Sequence, residues 1–236
     1  MLAVFVNMGT VLLGSVIGML FSSRLSQRLQ DAMMTALALC TAVIGMSSAL
    51  GTGDILCVIL CMALGTALGE LLHIHEGIGR AGDVIKTKVL RGKAAESRFT
   101  EGFVSACILF CVGSMTIMGS LEAGIHGDYS IIFAKSALDF VSSMAFAAAM
   151  GIGVTFSIFF ILVFQGGLTL LSGLAAPFLS AAVVTEMSAV GGTILLGMAV
   201  NMLGLRKEEI RVANMLPAIF LPLLYIPLSQ WLSGLF

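Results

Sequence analysis

The sequence predicts an all-α polytopic membrane protein with about eight transmembrane helices and one irregular, Gly/Pro-broken segment. The first observation behind this is composition: of 236 residues, 58% are hydrophobic and 11% are charged, and the mean hydropathy is +1.08. A soluble domain carries about 25% charged residues, so this chain has too few charges to cover a surface exposed to water. The second is that long apolar stretches alternate with loops, and the basic residues are concentrated in every second loop. A soluble enzyme and a disordered protein are excluded, and a net charge of −1 gives no attraction for nucleic acid.

Each predicted helix is an apolar stretch long enough to cross a bilayer. A helix rises about 1.5 Å per residue and the hydrocarbon core is about 30 Å thick, so about 20 mainly apolar residues are needed. In chain order the stretches are residues 3–21, 33–50, 55–72, 102–121, 131–150, 152–174, 189–204 and 215–232. The fifth and sixth are joined without any charged residue, and Gly151 and Gly153 are expected to break the helix there.

The basic residues predict the orientation of these helices. The loops after the first, third and seventh helices contain every Lys and Arg except Lys135. These three loops lie on one side if the helices alternate in direction. By the positive-inside rule that side is cytoplasmic, and both termini are then outside the cytoplasm.

The connection formed by residues 73–101 is the longest polar stretch. Apolar residues alternate with bases at roughly helical spacing, which predicts an amphipathic helix on the anionic inner leaflet. These apolar residues are Ile78, Val84, Ile85, Val89 and Leu90. The connection is too short to form a domain, so residues 1–236 are predicted to be a single integral membrane domain.

The irregular segment covers residues 165–192 and contains Gly166-Gly167, Pro177 and Gly191-Gly192. Its apolar run at 178–184 is too short to cross a bilayer. Two interpretations stay open. The run forms either a re-entrant half-helix beside a binding site, where irregular backbone is tolerated, or an interfacial helix in an outer loop. Residues 9–20 also resemble residues 192–203, which suggests a parallel internal repeat of the kind found in transporters.

The clearest charges inside a predicted helix are Lys135 and Asp139. An intramembrane charge costs roughly 2.5–3.5 kcal/mol on insertion scales and usually marks function. At i and i+4 the two side chains share one helix face and can pair. They form either a neutralised structural ion pair or a carboxylate in a solute or proton pathway with Lys135 as its charge partner. Lys135 could instead pair with Glu122, leaving Asp139 free.

Other polar residues in or near the predicted helices are weaker candidates. Gln165 and Asn201 lie within the sixth and seventh helices, and Glu186 lies beside the second glycine pair. Glu70 lies near the inner end of the third helix, and Asn214 is predicted to be the N-cap of the eighth.

Catalytic and metal-binding motifs are not found in the sequence. No nucleophile–base pair, nucleotide-binding loop or thiolate/His metal signature is present. The histidines at 73 and 75 are at i and i+2 and do not face each other on a helix. We therefore predict no catalytic residue, no cofactor and no metal, and we interpret the i, i+4 cysteine pairs as packing residues.

Five short motifs, spread over most of the chain, resemble a family of bacterial proteins. They are Phe110-Cys-Val-Gly-Ser-Met, Ala134-Lys-Ser-Ala-Leu-Asp, Gly151-Ile-Gly-Val, Gln165-Gly-Gly-Leu-Thr-Leu and Asn214-Met-Leu-Pro. Together they resemble the uncharacterised inner-membrane family that includes YdfK and YqgA (domain of unknown function 554). The resemblance implies a compact, multi-pass protein of the bacterial inner membrane. It implies no functional residues, because the role of the family is not established.

The function expected from the residues is membrane transport of a small ion or solute, by a secondary transporter or a channel-like protein. Asp139 and Lys135 would form the central site, and Gln165, Glu186 and Asn201 would line the pathway. The alternatives are a non-transporting structural or regulatory module and a lipid-modifying enzyme that uses Asp139 or Glu186. The expected partners are the lipid bilayer and the solute, and a homo-oligomer is compatible with the glycine-lined helix faces.

Overall fold

The computed structural model describes residues 1–22, 26–78, 80, 99–111 and 113–233, and these residues contain helices and turns but no strand. The α-helices are α1 (Leu2–Ser22), α2 (Gln27–Ala49), α3 (Ile55–Leu71), α4 (Phe99–Cys111), α5 (Ser114–Ile125), α6 (Ser130–Met150), α7 (Gly153–Leu170), α8 (Ser172–Ala175), α9 (Ala181–Met202) and α10 (Pro222–Ser233). Two 3₁₀ helices, η1 (Ala176–Phe178) and η2 (Val212–Phe220), are also present, and residues 74–78 are helical as well. The all-α prediction is confirmed.

Five of the described helices are long and apolar enough to cross a membrane, namely α1, α6, α7, α9 and the part of α2 after residue 30. The number rises to seven if the bent pairs α4–α5 and η2–α10 each count as one span. The remaining predicted helix is α3, which is apolar but has only 17 residues. The described residues of the eight predicted stretches are therefore largely helical, but they supply five to seven candidate spans rather than the predicted eight.

The fourth predicted helix is bent, which the sequence analysis did not anticipate. α4 and α5 meet at an angle of 57°. Gly113 has an extended backbone (φ −66°, ψ 146°) and begins α5 without a side-chain cap. The Thr116 hydroxyl donates to the Phe110 carbonyl at 2.8 Å, which satisfies a backbone acceptor at the end of α4. Polar backbone left by a broken membrane helix needs such a partner.

The eighth predicted helix is also bent, by 43° between η2 and α10. Asn214 does not cap it, contrary to the prediction, because it lies buried inside η2 while Arg211 occupies the N-cap position. The Asn214 Oδ1 atom instead accepts from the backbone N–H of His75 at 2.7 Å. A tertiary partner therefore outcompetes the local capping interaction.

The irregular segment is shorter than predicted. Gln165, Gly166 and Gly167 belong to α7, and Gly191 and Gly192 lie inside α9. Residues 178–184 form no helix of their own, because Ser180 caps α9 with its hydroxyl and the helix continues from Ala181. The irregular part is thus confined to α8, η1 and the turn that follows them, at 171–180.

Two other expectations can be compared with the structure. α6 ends at Met150 and α7 begins at Gly153, as predicted, and Gly151 adopts a left-handed φ of +77° that favours glycine. Of the apolar residues in the 73–101 connection, Ile78 packs against the core. The other four lie outside the described residues, so the predicted amphipathic helix is not tested.

The loops are gathered at two ends of the bundle, as alternating helices require. At the "Gly51 end", defined by loops 50–54, 126–129 and 171–180, Thr52 bonds Glu186 near the start of α9. At the "Arg211 end", defined by residues 72–78, 80, 151–152 and 203–211, Arg211 contacts Glu76. Of the described basic residues, Arg80, Arg206, Lys207 and Arg211 belong to the Arg211 end, Arg28 lies in the first turn of α2, and Lys135 lies in α6.

Glycines bring several helices into close contact. A Cβ on Gly14 of α1 would lie 2.2 Å from the Ser143 Oγ atom of α6. A Cβ on Gly69 of α3 would lie 1.8 Å from the Asn214 carbonyl oxygen of η2. Close approach through small residues is typical of membrane helix packing, and here it brings α1 against the charged face of α6.

Candidate functional site

The predicted charge pair of α6 is present and buried. Lys135 and Asp139 are 5% and 6% exposed, and the lysine ammonium donates directly to the aspartate carboxylate. The lysine Nζ atom also lies 5.8 Å from the centroid of the Phe110 ring, within reach of a cation–π attraction. Glu122 bonds His126 at 2.7 Å instead. The alternative pairing of Lys135 with Glu122 is therefore not adopted.

A cavity of about 460 Å³, whose lining includes Gly51, reaches this pair. Lys135 and Asp139 both line it. Five hydroxyl side chains from three helices also line it, namely Ser47, Ser48, Ser142, Thr185 and Ser188. The cavity thus combines a buried positive charge, a buried negative charge and groups that can both donate and accept hydrogen bonds.

The break between α4 and α5 opens onto the same cavity, since Gly113 and Met115 are among its lining residues. The first N–H groups of a helix have no partner within the helix and carry a partial positive charge. Gly113 supplies no side-chain cap, and the Thr116 N–H donates to the Gly113 carbonyl at 2.9 Å. A bent membrane helix that presents its N-terminus to a solute cavity is a recurring feature of transporters.

A second layer of polar contacts lies behind Asp139. The Asn7 side chain of α1 reaches Asp139, and its Nδ2 atom donates to Gln165 Oε1 of α7 at 3.0 Å. Asn7 and Gln165 are 0% and 1% exposed. Their other amide atoms, Asn7 Oδ1 and Gln165 Nε2, have no partner among the described residues. Three helices thus meet at one buried polar network.

Asn7 is the residue of this network that the sequence analysis missed. An amide in the middle of an apolar stretch is a detectable signal, because a polar group inside a membrane requires a partner. Its significance depends on α6 and α7, which are distant in the sequence. Gln165, by contrast, was predicted and does join the Asp139 network.

A smaller polar cavity of about 200 Å³ lies at the Arg211 end. Its polar lining residues are His75, Glu76, Glu101, Ser105, Asn201 and Glu209. Ser105 of α4 lines this cavity, and Leu109, one helical turn further along α4, lines the larger one. Four residues of helix rise about 6 Å. Along α4 the lining residues of the two cavities are therefore about one helical turn apart.

Glu186 is buried but serves a different purpose from Asp139. Its carboxylate accepts from the Thr52 hydroxyl at 2.6 Å, from the Gly53 N–H at 2.7 Å and from the Asp54 N–H at 3.2 Å. These contacts hold the loop between α2 and α3 against the start of α9. Glu186 does not line the cavity, although its neighbours Thr185 and Ser188 do.

The other predicted residues lie at the Arg211 end and are not joined to Lys135 or Asp139. Asn201 forms two hydrogen bonds of 2.8 Å with the backbone of Ile210, which fix the loop before η2. The Arg211 Nη1 atom lies 3.5 Å from Glu70 Oε2 and 3.1 Å from Glu76 Oε1. The pKa of Glu76 lies below its usual value, first because its own backbone N–H donates to the carboxylate and also because Arg211 is near.

An apolar groove of about 900 Å³ lies between α4, α7 and η2. Phe103, Phe160, Phe164 and Phe220 contribute to its lining, and neither Asp139 nor Glu186 does. Its lining is suited to hydrocarbon contact, and no acid or base among the described lining residues could act on a lipid there.

Comparison with known proteins places the chain among uncharacterised membrane proteins. It is 34% identical over 229 residues to "Uncharacterized protein YqgA" of Escherichia coli (strain K12), covering 95% of this chain and 94% of that protein. It is 26% identical over 220 residues to "Uncharacterized membrane protein YdfK" of Bacillus subtilis (strain 168), covering 92% and 91%. No solved structure matches it. Residues 2–226 match the family described as protein of unknown function DUF554, and the chain therefore belongs to the DUF554 family.

Proposed function

We propose that this membrane protein transports a small polar or charged solute, with Lys135 and Asp139 as the central binding residues. The observation that carries the proposal is that this buried ion pair lines a cavity that five hydroxyl side chains also line. A purely structural ion pair gains nothing from lining a cavity, because water access weakens the attraction between the charges.

The cavity at the Arg211 end supports the same proposal. A solute that leaves the Lys135/Asp139 site has to pass the turn of α4 between Leu109 and Ser105 to reach that cavity. A change in the bend between α4 and α5 would close one cavity and open the other. Such alternating exposure of one central site is the basis of secondary transport.

The orientation in the membrane belongs to this proposal. Four of the six described basic residues, Arg80, Arg206, Lys207 and Arg211, lie at the Arg211 end, which the positive-inside rule makes cytoplasmic. The Gly51 end, with its polar cavity, then faces the outside of the bacterial inner membrane. Both termini are on the outer side in this arrangement.

The pathway residues divide into two groups under this proposal. Asp139, Lys135 and Gln165 act at the centre. Asn201 lies at the inner exit, because it lines the smaller cavity. Glu186 supports the cavity wall without contacting the solute, and Glu70 and Glu122 have no role in the path.

A flux assay in proteoliposomes tests the proposal. Isotope-labelled amino acids, carboxylates, amines and alkali cations are supplied in separate pools, and a pH-sensitive dye reports proton movement. We expect the wild-type protein to move at least one pool and Asp139→Asn to reduce that flux at least tenfold. Glu122→Gln is the matched control, since it removes the carboxylate of an exposed i, i+4 pair on α5 and should keep full flux.

Two outcomes contradict the proposal. Wild-type flux in Asp139→Asn would remove Asp139 from the mechanism. Absence of flux in every pool, with a folded protein, would favour the non-transporting structural or regulatory module.

Chemical labelling tests access to the cavity separately. Ser188→Cys should react with a membrane-impermeant thiol reagent added from outside intact cells. Ser157→Cys is the control, because Ser157 is fully buried, donates to the Val154 carbonyl and lines none of the described cavities. Equal labelling of both positions, or labelling of Ser188→Cys only from the cytoplasmic side, would overturn the orientation.

A further inference from the structure

We infer, on the basis of the proposed transport function, that the solute is a small zwitterion whose carboxylate binds beside Lys135 and whose ammonium group binds beside Asp139. An α-amino acid is the simplest member of this class. Three features of the cavity support a solute with both charges, namely the ion pair, the bend between α4 and α5 and the hydroxyl side chains.

The buried ion pair restricts the charge of a solute that can bind beside it. Lys135 and Asp139 neutralise each other at 5% and 6% exposure. A solute with one charge that displaced one partner would leave the other charge buried and unpaired, which is strongly unfavourable. A zwitterion can separate the pair and compensate both charges at once, so it enters without a net change in buried charge.

The cavity wall supplies an asymmetric field for such a solute. The N-terminus of α5 at Gly113 and Met115 adds partial positive charge to the wall that also holds Lys135. Among the described lining residues, Asp139 is the only acid. One part of the cavity thus favours a carboxylate and another favours an ammonium group.

An unpartnered hydroxyl provides an independent indication of a ligand. The Ser188 Oγ atom is buried, lines the cavity and has no hydrogen-bond partner among the described residues. A buried polar atom without a partner costs free energy, and a bound polar solute would supply the partner. Ser142 and Thr185 line the same cavity and can add further hydrogen bonds.

The volume is consistent with a small solute. At about 30 Å³ per molecule, 460 Å³ corresponds to about 15 waters. A solute of about 6–12 non-hydrogen atoms fits this space together with a few waters. The lining combines hydroxyls and the two charged side chains with four apolar residues, namely Ile44, Leu109, Met115 and Leu138.

Three molecules of matched size test the inference. L-alanine carries both charges, propionate lacks the ammonium group and ethylamine lacks the carboxylate. Thermal unfolding of the purified full-length protein in detergent is measured with each, and with the other proteinogenic amino acids. A ligand at ten times its Kd should raise Tm by about 3 °C or more, and we expect this for at least one amino acid but for neither single-charge compound.

Charge variants make the test specific. In Asp139→Asn the positive charge of Lys135 remains, so propionate should now raise Tm more than any amino acid does. In Lys135→Gln the carboxylate remains, so ethylamine should become the better ligand. The double variant Lys135→Met/Asp139→Leu has no unpaired charge, should fold, and should respond to none of the three. Glu122→Gln is again the control and should keep the wild-type preference.

The outcomes separate this inference from the transport proposal. Stabilisation of the wild-type protein by propionate or ethylamine alone, or by no amino acid at all, would overturn the zwitterion class. An unchanged preference in both charge variants would overturn it as well. Binding of an amino acid without any flux would support the zwitterion class of solute and contradict transport. Flux of anions or cations alone would support transport and contradict the zwitterion class.

Discussion

Asp139 and Glu186 are both buried carboxylates within long apolar helices, yet their surroundings differ. Glu186 is 3% exposed and uses its oxygens on the Thr52 hydroxyl and two loop N–H groups. Asp139 is 6% exposed, shares its charge with Lys135 and lines a cavity. Burial is therefore nearly the same, and the partners are what differ.

The difference shows how an intramembrane acid can be assigned a role. A carboxylate that accepts several hydrogen bonds from a loop is fixed in place and stabilises that loop. A carboxylate held mainly by a neighbouring charge beside a cavity can exchange that partner for a solute. Glu186 fits the first case and Asp139 fits the second.

The largest expected effect comes from separating the charge pair. Lys135→Met leaves Asp139 buried without its partner, and we expect a loss of about 3–5 kcal/mol in the free energy of unfolding. Lys135→Met/Asp139→Leu should recover most of it, because no charge is left unpaired. Chemical unfolding in detergent measures both variants. If Lys135→Met were as stable as the wild-type protein, another group would have to compensate the charge of Asp139.

Glu186→Gln should separate stability from function. Loss of the charged hydrogen bonds to Thr52 and Gly53 is expected to cost about 1.5–3 kcal/mol. Flux per folded molecule should stay within a factor of two of wild type, whereas Asp139→Asn should lose at least tenfold. Thermal unfolding and proteoliposome flux, measured on the same preparations, give both numbers. A tenfold loss of flux in Glu186→Gln would end the distinction between the two acids.

Gly14→Ala should disturb the Asp139 region through packing. The added Cβ would lie 2.2 Å from Ser143 Oγ and 2.4 Å from the Phe140 carbonyl oxygen, so α1 has to move away from α6. We expect a cost of about 1–3 kcal/mol and lower flux, because Asn7 on α1 contacts Asp139. Gly9→Ala on the same helix is the control, since its Cβ would meet nothing within 4 Å. Equal behaviour of the two variants would contradict close α1–α6 packing.

Tyr225→Phe should have the smallest effect. The Tyr225 hydroxyl donates to Asp54 at 3.1 Å, and Asp54 also caps α3 beside the loop that Glu186 holds. Removing this hydrogen bond should lower the free energy of unfolding by about 0.5–1.5 kcal/mol and leave flux unchanged. Thermal unfolding is sufficient as the measurement. A larger loss, comparable to that of Glu186→Gln, would show that Tyr225 rather than Glu186 anchors this end.

Part of the candidate site could be read from the sequence. Lys135 and Asp139 are four residues apart on one helix, so their pairing depends on local geometry alone. Gln165 was also predicted, but its partner Asn7 is 158 residues away, and no local pattern connects them. The cavity hydroxyls escaped notice for the same reason, because serine and threonine are common in apolar helices and their meeting requires the packed bundle.

Two predicted features show where local reasoning fails. Gly166-Gly167 and Gly191-Gly192 were expected to break helices, but both pairs lie within helices. At Gly192 a Cβ would lie 2.6 Å from the Gly45 carbonyl oxygen of α2, so this glycine permits close packing. Glycine has the same sequence signature whether it breaks a helix or admits a neighbour, and only the neighbouring helix distinguishes the two.

By itself the sequence determined the membrane class, the helical stretches and the segregation of the basic residues. Each of these follows from the cost of exposing backbone or charge to hydrocarbon, which acts on every residue according to its own chemistry. The tertiary structure decided where the helices bend, which buried acid is satisfied and which polar side chains share a cavity. These depend on contacts between helices far apart in the chain, because in a membrane the close packing of particular small residues, rather than hydrophobicity, selects which helices meet.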